Sequence, residues 1–176
     1  ARTGKPMIIS TGMGTVAEIA ETVAVARDAG ATDLILLKCT SAYPSMPEDA
    51  NILTIPNLRE TFQCEAGLSD HTMGVGVSVA SVAHGATVIE KHFTLRRADG
   101  GVDSAFSLEP EEMRALVVET QRAWASLGGV SYGASSAQET KSLAFRRSLY
   151  VSEDMAAGEI FTAANVRAIR PGYGLP

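Results

Sequence analysis

Four short apolar runs punctuate the first part of the chain, beginning near residues 7, 34, 65 and 87. Met7-Ile8-Ile9-Ser10 and Leu34-Ile35-Leu36-Leu37-Lys38-Cys39 are continuous rather than alternating, as expected for strands buried on both faces. Glu65-Ala66-Gly67-Leu68-Ser69 is a third strand, poorly marked by propensity, and Thr87 to His92 a fourth. Helical stretches lie between them. Thr15-Val16-Ala17-Glu18 has the spacing of a capping box, and Ile19, Val23 and Val25 carry that helix to a stop at Gly30. Pro56 can begin the next helix, which carries Leu58, Thr61 and Phe62. Val75 to Ala83 contains only Gly, Val, Ser and Ala and reads as a closely packed helix ended by Gly85.

Alternation of strand and helix with short connections demands a parallel sheet with right-handed crossovers. Loops after the strands are rich in Ser, Thr, Asp, His and Tyr, whereas loops after the helices are plain Gly-containing turns. Function is therefore expected at the carboxyl end of the sheet, as in both a barrel and an open doubly wound sheet. Beyond Phe93, a polar loop leads to Ser107-Leu108-Glu109-Pro110-Glu111-Glu112, which opens a helix with Pro in its first turn. Met113, Leu116, Val117, Thr120, Trp124 and Leu127 form its apolar stripe, and Gly128-Gly129 ends it. Residues 130–142 lack clear periodicity and read as a linker. A different texture follows: Ser148-Leu149-Tyr150-Val151 is strand-like, Met155 to Glu159 is a turn, and Thr162 can cap a short Ala163–Val166 helix.

Composition narrows the function. The 176 residues are 45% hydrophobic and 20% charged, the balance of an ordinary soluble globular protein. A net charge of −5 with no Lys/Arg block argues against nucleic-acid binding, and no run is long enough to span a bilayer. Cys39 and Cys64 stand in no metal or redox spacing, which fits a reducing cytoplasm. The opening Ala1-Arg2-Thr3-Gly4-Lys5-Pro6 resembles neither a signal peptide nor a natural start, so a longer parent protein is expected.

Of the three histidines, His71 and His92 each end an apolar run. On neighbouring parallel strands they would emerge at the same end, where two imidazoles can share one divalent Mn, Fe or Zn ion and leave positions open for water and substrate. Structural roles for each are the competing reading, and His84, in a helix-end turn, has no assigned role. Ser10-Thr11-Gly12, Thr40-Ser41 and Ser69 offer hydroxyls and amides after three successive strands, suited either to capping or to an anion such as phosphate or carboxylate. Asp99 and Asp103 flank a Gly pair, which turn chemistry explains as well as catalysis does. Glu90 and Lys91 alternate along a strand, so one faces outward to pair with a helix.

Five motifs occur here in the order found in sialic acid synthases: Lys5 to Met13, Cys39-Thr40-Ser41-Ala42-Tyr43-Pro44, Ser69-Asp70-His71-Thr72, Glu90-Lys91-His92-Phe93 and Ser107-Leu108-Glu109-Pro110. The tail Arg170-Pro171-Gly172-Tyr173-Gly174 resembles their antifreeze-like (SAF) domain. Within the family, Gly101 to Leu108 and Arg170 to Leu175 are more similar to pseudaminic acid synthases, and Ala42 replaces an Asn that the neuraminate enzymes carry for phosphoenolpyruvate. The resemblance implies an α/β fold: the C-terminal half of a (β/α)8 TIM barrel over residues 1–129, a linker at 130–146 and the start of a β-rich SAF domain at 147–176. It implies that His71 and His92 are metal ligands, that Ser10 and Ser69 contact phosphoenolpyruvate, and that Tyr43 and Asp103 contact an N-acetylated amino sugar. Arg170 resembles the SAF arginine that reaches the partner subunit's site in a domain-swapped homodimer.

The activity so implied is a metal-dependent transferase reaction that condenses phosphoenolpyruvate with an open-chain 2,4-diacetamido-2,4,6-trideoxy hexose, using Mn or a similar divalent ion. N-acetylneuraminate or legionaminate synthesis is the alternative substrate choice. A different alternative is a non-catalytic fragment, since half a barrel leaves strand edges unpaired and an apolar interior exposed.

Overall fold

The computed structural model describes residues 3–175. The chain divides into two compact units, one running to Gly128 and the other from Gly129.

In the first unit, strands β1 (Met7–Ser10), β2 (Leu34–Cys39), β3 (Glu65–Asp70) and β4 (Ile89–Lys91) form one parallel sheet in sequential order. Helices α1 (Val16–Asp28), α2 (Thr54–Phe62) and α3 (Gly76–Ala83) connect them, and α4 (Pro110–Ser126) follows β4. This is four βα units in barrel order, a half-barrel. The expected capping box is present, with Thr15 Oγ1 accepting from the Glu18 N–H and Glu18 Oε2 accepting from the Thr15 N–H. The second helix begins at Thr54, so Pro56 lies inside its first turn rather than at its start. Proline is accommodated there because the first-turn amides have no intrahelical partner in any case.

Side chains alternate across each strand, so the sheet has two distinct faces. Leu34, Leu36, Ala66 and Leu68 face the helix layer and pack with Val23, Ala26, Ile55, Leu58 and Phe62. Burial of each large aliphatic group there stabilises the fold by roughly 1.5–3 kcal/mol, so this outer face supplies most of the core. The opposite face, which would line a barrel interior, is less well covered: Leu37 is fully buried but Ile8 is half exposed. Gly67 lies on this inner face. A Cβ there would sit 2.1 Å from the Val88 carbonyl oxygen and 2.7 Å from Leu37 Cδ2, so only glycine lets β3 and β4 approach while Leu37 covers them.

The fourth strand is shorter than the expected Thr87 to His92. Thr87 and Val88 still hydrogen-bond to β3, through Thr87 N–H to Ala66 O and Leu68 N–H to Val88 O. After Lys91 the backbone turns to pair with the loop instead, and Leu108 N–H donates to His92 O at 2.9 Å. In α4 only Leu116 of the apolar stripe is buried, and Trp124 is largely exposed.

The second unit contains α5 (Ala137–Ser142) and the antiparallel pair β5 (Ser148–Val151) with β6 (Val166–Ile169). Helix α5 falls in the stretch expected to be an irregular linker. Ser136 and Glu139 form a capping box that starts it, a spacing readable in the sequence. The expected Ala163–Val166 helix does not form. Asn165 Oδ1 accepts from the Thr162 N–H and its amide donates to Ile160 O, which folds 160–165 into a turn and releases Val166 to pair with Val151. The antiparallel ladder outcompetes a helix of four residues, too short to recover its nucleation cost.

Candidate functional site

Strands β3 and β4 are in register at Asp70 and Lys91, so the next residue of each, His71 and His92, stand side by side at the carboxyl end of the sheet. Their ring centroids are 5.1 Å apart with the planes at 72°. His71 is buried, and its Nδ1 lies 2.8 Å from the Thr40 carbonyl oxygen. A carbonyl only accepts, so Nδ1 is the donor of this contact, and in the neutral ring that tautomer leaves the Nε2 lone pair available to a metal. Thr40 is itself held, its hydroxyl donating to Asp49 O and accepting from Lys38 Nζ. Burial pushes the Lys38 ammonium below its ordinary pKa.

Aromatic rings surround the pair. Tyr43 lies 4.3 Å from His71 and Phe106 lies 5.0 Å from His92, centroid to centroid. Asp103 approaches from the loop after β4, with Oδ2 3.7 Å from His92 Nδ1, close enough for charge interaction but too long for a hydrogen bond. Its backbone is left-handed at φ +64°, a conformation Asp tolerates better than most residues. Arg97 ties this loop down. Its guanidinium donates to Ser107 O and to both carboxylate oxygens of Glu112, and its backbone N–H donates to Glu109. The Glu112 contacts raise the Arg97 pKa, and the Arg97 side chain holds Glu112 below the usual carboxylate range.

Ser69 lies two residues before His71 on the same inner face. Its hydroxyl donates to Glu90 Oε1 at 2.7 Å. Glu90 therefore faces inward, and Lys91 is the member of that pair which turns toward the helices. Sequence reasoning assigned Glu90 no role, although its place two residues before His92 puts both on one face of a strand. Phe106 was likewise missed, because its approach to His92 depends on the loop path. Ser10 ends β1 in register with Leu37, which is in turn in register with Gly67, so it shares the inner face two strands away, about 10 Å by strand spacing. Ser10 is thus not part of the histidine cluster. Arg170 belongs to the second unit, just after β6, and is exposed. Four expected residues therefore converge (Tyr43, His71, His92 and Asp103), with Ser69 beside them.

Behind the histidines, on the helix side, Lys91 Nζ donates to Asp70 Oδ2 at 2.8 Å, with both side chains almost wholly buried. Burial pushes the Asp70 carboxyl up, but hydrogen bonds from Lys91, Ser78 and Thr72 outweigh it and leave it below its ordinary value.

Two imidazoles, one with its Nδ1 fixed by a carbonyl, make a donor set that suits a divalent first-row metal. Among the described residues, no group of three or more His, Cys, Asp or Glu side chains is placed to hold a metal, so the chain offers a two-histidine set with open positions.

Residues 1–132 match the NeuB family. This chain belongs to the NeuB family. A pseudaminic acid synthase of Campylobacter jejuni is 43% identical over 99% of this chain and 51% of its own length. An N,N'-diacetyllegionaminic acid synthase of the same species is 37% identical, again over 99% of this chain, and 53% of its own length. Among solved structures, the N-acetylneuraminic acid (sialic acid) synthetase of Leptospira borgpetersenii superposes with a TM-score of 0.71 at 34% identity, over 81% of this chain and 49% of that one. The chain spans about half the length of the curated relatives it matches. No helix among the described residues is long and apolar enough to cross a membrane.

Proposed function

We propose that this chain is the C-terminal part of a pseudaminic acid synthase, which joins phosphoenolpyruvate to an open-chain 2,4-diacetamido-2,4,6-trideoxy hexose and releases phosphate. The observation that carries this reading is the register-matched pair His71 and His92, flanked by Tyr43 and Asp103, in a chain 43% identical to such a synthase over nearly all its length. His71 and His92 would hold a divalent ion such as Mn. When bound, that ion supplies Lewis-acid polarisation of the sugar aldehyde oxygen.

The chain's own residues bind and orient. Ser69 and Ser10 supply hydroxyls for phosphoenolpyruvate at the mouth of the half-barrel. The exposed Tyr43 ring offers an amphipathic wall for the amino sugar. Asp103 accepts a hydrogen bond from a substrate hydroxyl or from the attacking water. The enol carbon bonds to the aldehyde carbon, water adds at the resulting oxocarbenium carbon, and the C–O bond to phosphate breaks. The sugar hydroxyl formed takes up one proton, and the adding water gives one up. Arg170 would serve the site of a partner subunit in a domain-swapped homodimer, and the site is completed by residues of the longer protein outside this chain. The protein would work in the cytoplasm.

The test is to supply the full-length protein with Mn²⁺, phosphoenolpyruvate and, in separate reactions, the 2,4-diacetamido-2,4,6-trideoxy hexoses and N-acetylmannosamine, and to follow phosphate and nonulosonic acid. Pseudaminic acid formed from a 2,4-diacetamido-2,4,6-trideoxy hexose supports the reading. Preferred formation of legionaminate or N-acetylneuraminate would move it to that alternative, and metal-dependent turnover unchanged in His71→Ala would overturn the site.

A further inference from the structure

We infer that the buried Asp70–Lys91 ion pair is the positioning device of the histidine pair, fixing the separation at which His71 and His92 meet a divalent cation. The inference rests on the metal reading proposed above. A buried ion pair is weak evidence for stability, because an apolar pair of similar size is often no less stable in its place. Its geometry shows what else it does. Asp70 and Lys91 are register partners, and each directly precedes one of the two histidines.

Asp70 Oδ1 accepts from the Thr72 N–H at 2.9 Å and from its hydroxyl at 2.8 Å, closing a tight turn around His71. Lys91 Nζ donates to Asp70 Oδ2 at 2.8 Å and to the Thr72 carbonyl at 2.6 Å. The residue before His92 therefore grips the residues on both sides of His71. Ser78 Oγ donates to Asp70 Oδ2 at 2.5 Å and anchors the network to α3. Asp70 and Lys91 side chains are 1% and 2% exposed and lie on the helix side of the sheet, away from the inner-face cluster. His92 Nδ1 donates no hydrogen bond to Asp103, whose Oδ2 is 3.7 Å away, so its ring is placed by the backbone that follows Lys91, by the Leu108 N–H that donates to its carbonyl, and by packing against Phe106.

The experiment measures Mn²⁺ binding by titration calorimetry on the full-length protein. Asp70→Leu combined with Lys91→Met removes both charges together, so neither is stranded. The expected result is Mn²⁺ affinity reduced about tenfold or more, together with a lowered thermal midpoint, because buried Thr72 and Ser78 lose hydrogen-bond partners. Turnover at low Mn²⁺ falls by the same factor and is restored by raising the Mn²⁺ concentration. Should the double variant not fold, Lys91→Arg keeps the charge but relocates its donors, and weaker Mn²⁺ binding by severalfold is expected. Affinity within twofold of the unaltered protein, in whichever variant folds, overturns the inference alone. Equal Mn²⁺ binding by the unaltered protein and His71→Ala overturns the metal reading, and this inference with it.

Discussion

Asp103 reaches His92 from a left-handed backbone: its Oδ2 stands 3.7 Å from Nδ1 while its φ is +64°. Asn tolerates this conformation about as well as Asp, so Asp103→Asn separates the carboxylate's charge from the backbone's shape. In the full-length protein we expect a fall in kcat on the order of 10²-fold, with the thermal midpoint nearly unchanged. Asp103→Val should lose the same activity and also stability, because a β-branched residue cannot take up this φ without strain. Steady-state kinetics and thermal melts on both variants check this.

Gly67→Ala should damage the fold rather than the chemistry. The new methyl meets the Val88 carbonyl at 2.1 Å and Leu37 at 2.7 Å, and the first of these is backbone that cannot rotate away. Overpacking of this kind costs about 1–3 kcal/mol or somewhat more against backbone. A thermal midpoint lowered by roughly 5 °C or more is expected, and an unchanged midpoint would contradict the close approach of β3 and β4.

Acid should loosen the loop that carries Asp103. Hydrogen bonds from Arg97 and the Glu109 N–H hold the Glu112 carboxyl below its ordinary pKa. A depressed folded-state pKa contributes stability that is complete above the unfolded value of about 4.3 and is lost as the pH falls through the folded one. Both side chains are substantially solvated, so the effect is that of a surface pair, small and salt-sensitive. The stability difference between the unaltered protein and Glu112→Gln should therefore be constant near neutral pH and shrink below about pH 4. Denaturant melts at pH 7 and pH 3 measure it.

These 176 residues by themselves should self-associate. The outer strands of the sheet are β1 and β4, and Ile8 on the inner face is half exposed. Unpaired edges beside apolar surface template association. Light scattering on the isolated chain should show oligomers or aggregate, and a monodisperse monomer would contradict this.

Much of the architecture was legible in residue order, because strand and helix patterns depend on neighbours only a few positions apart. The apolar runs at Met7 and Leu34, the capping box at Thr15 and Glu18, and the ordered motifs around His71 and His92 each carry their information locally. The same locality explains the misreadings. Thr162 resembles a helix cap until Asn165 folds the segment into a turn and β5 claims Val166.

What the tertiary structure decided is everything that depends on register and loop path. Sequence alone established that Glu90 and Lys91 point to opposite sides. Only the pairing of Asp70 with Lys91 shows that the lysine goes to the buried helix side and the glutamate inward to Ser69. Likewise, Tyr43 beside His71 and Asp103 beside His92 join residues 28 and 11 positions apart, contacts that no local pattern encodes. They arise because parallel strands in register bring their carboxyl ends, and the loops that follow them, to one place.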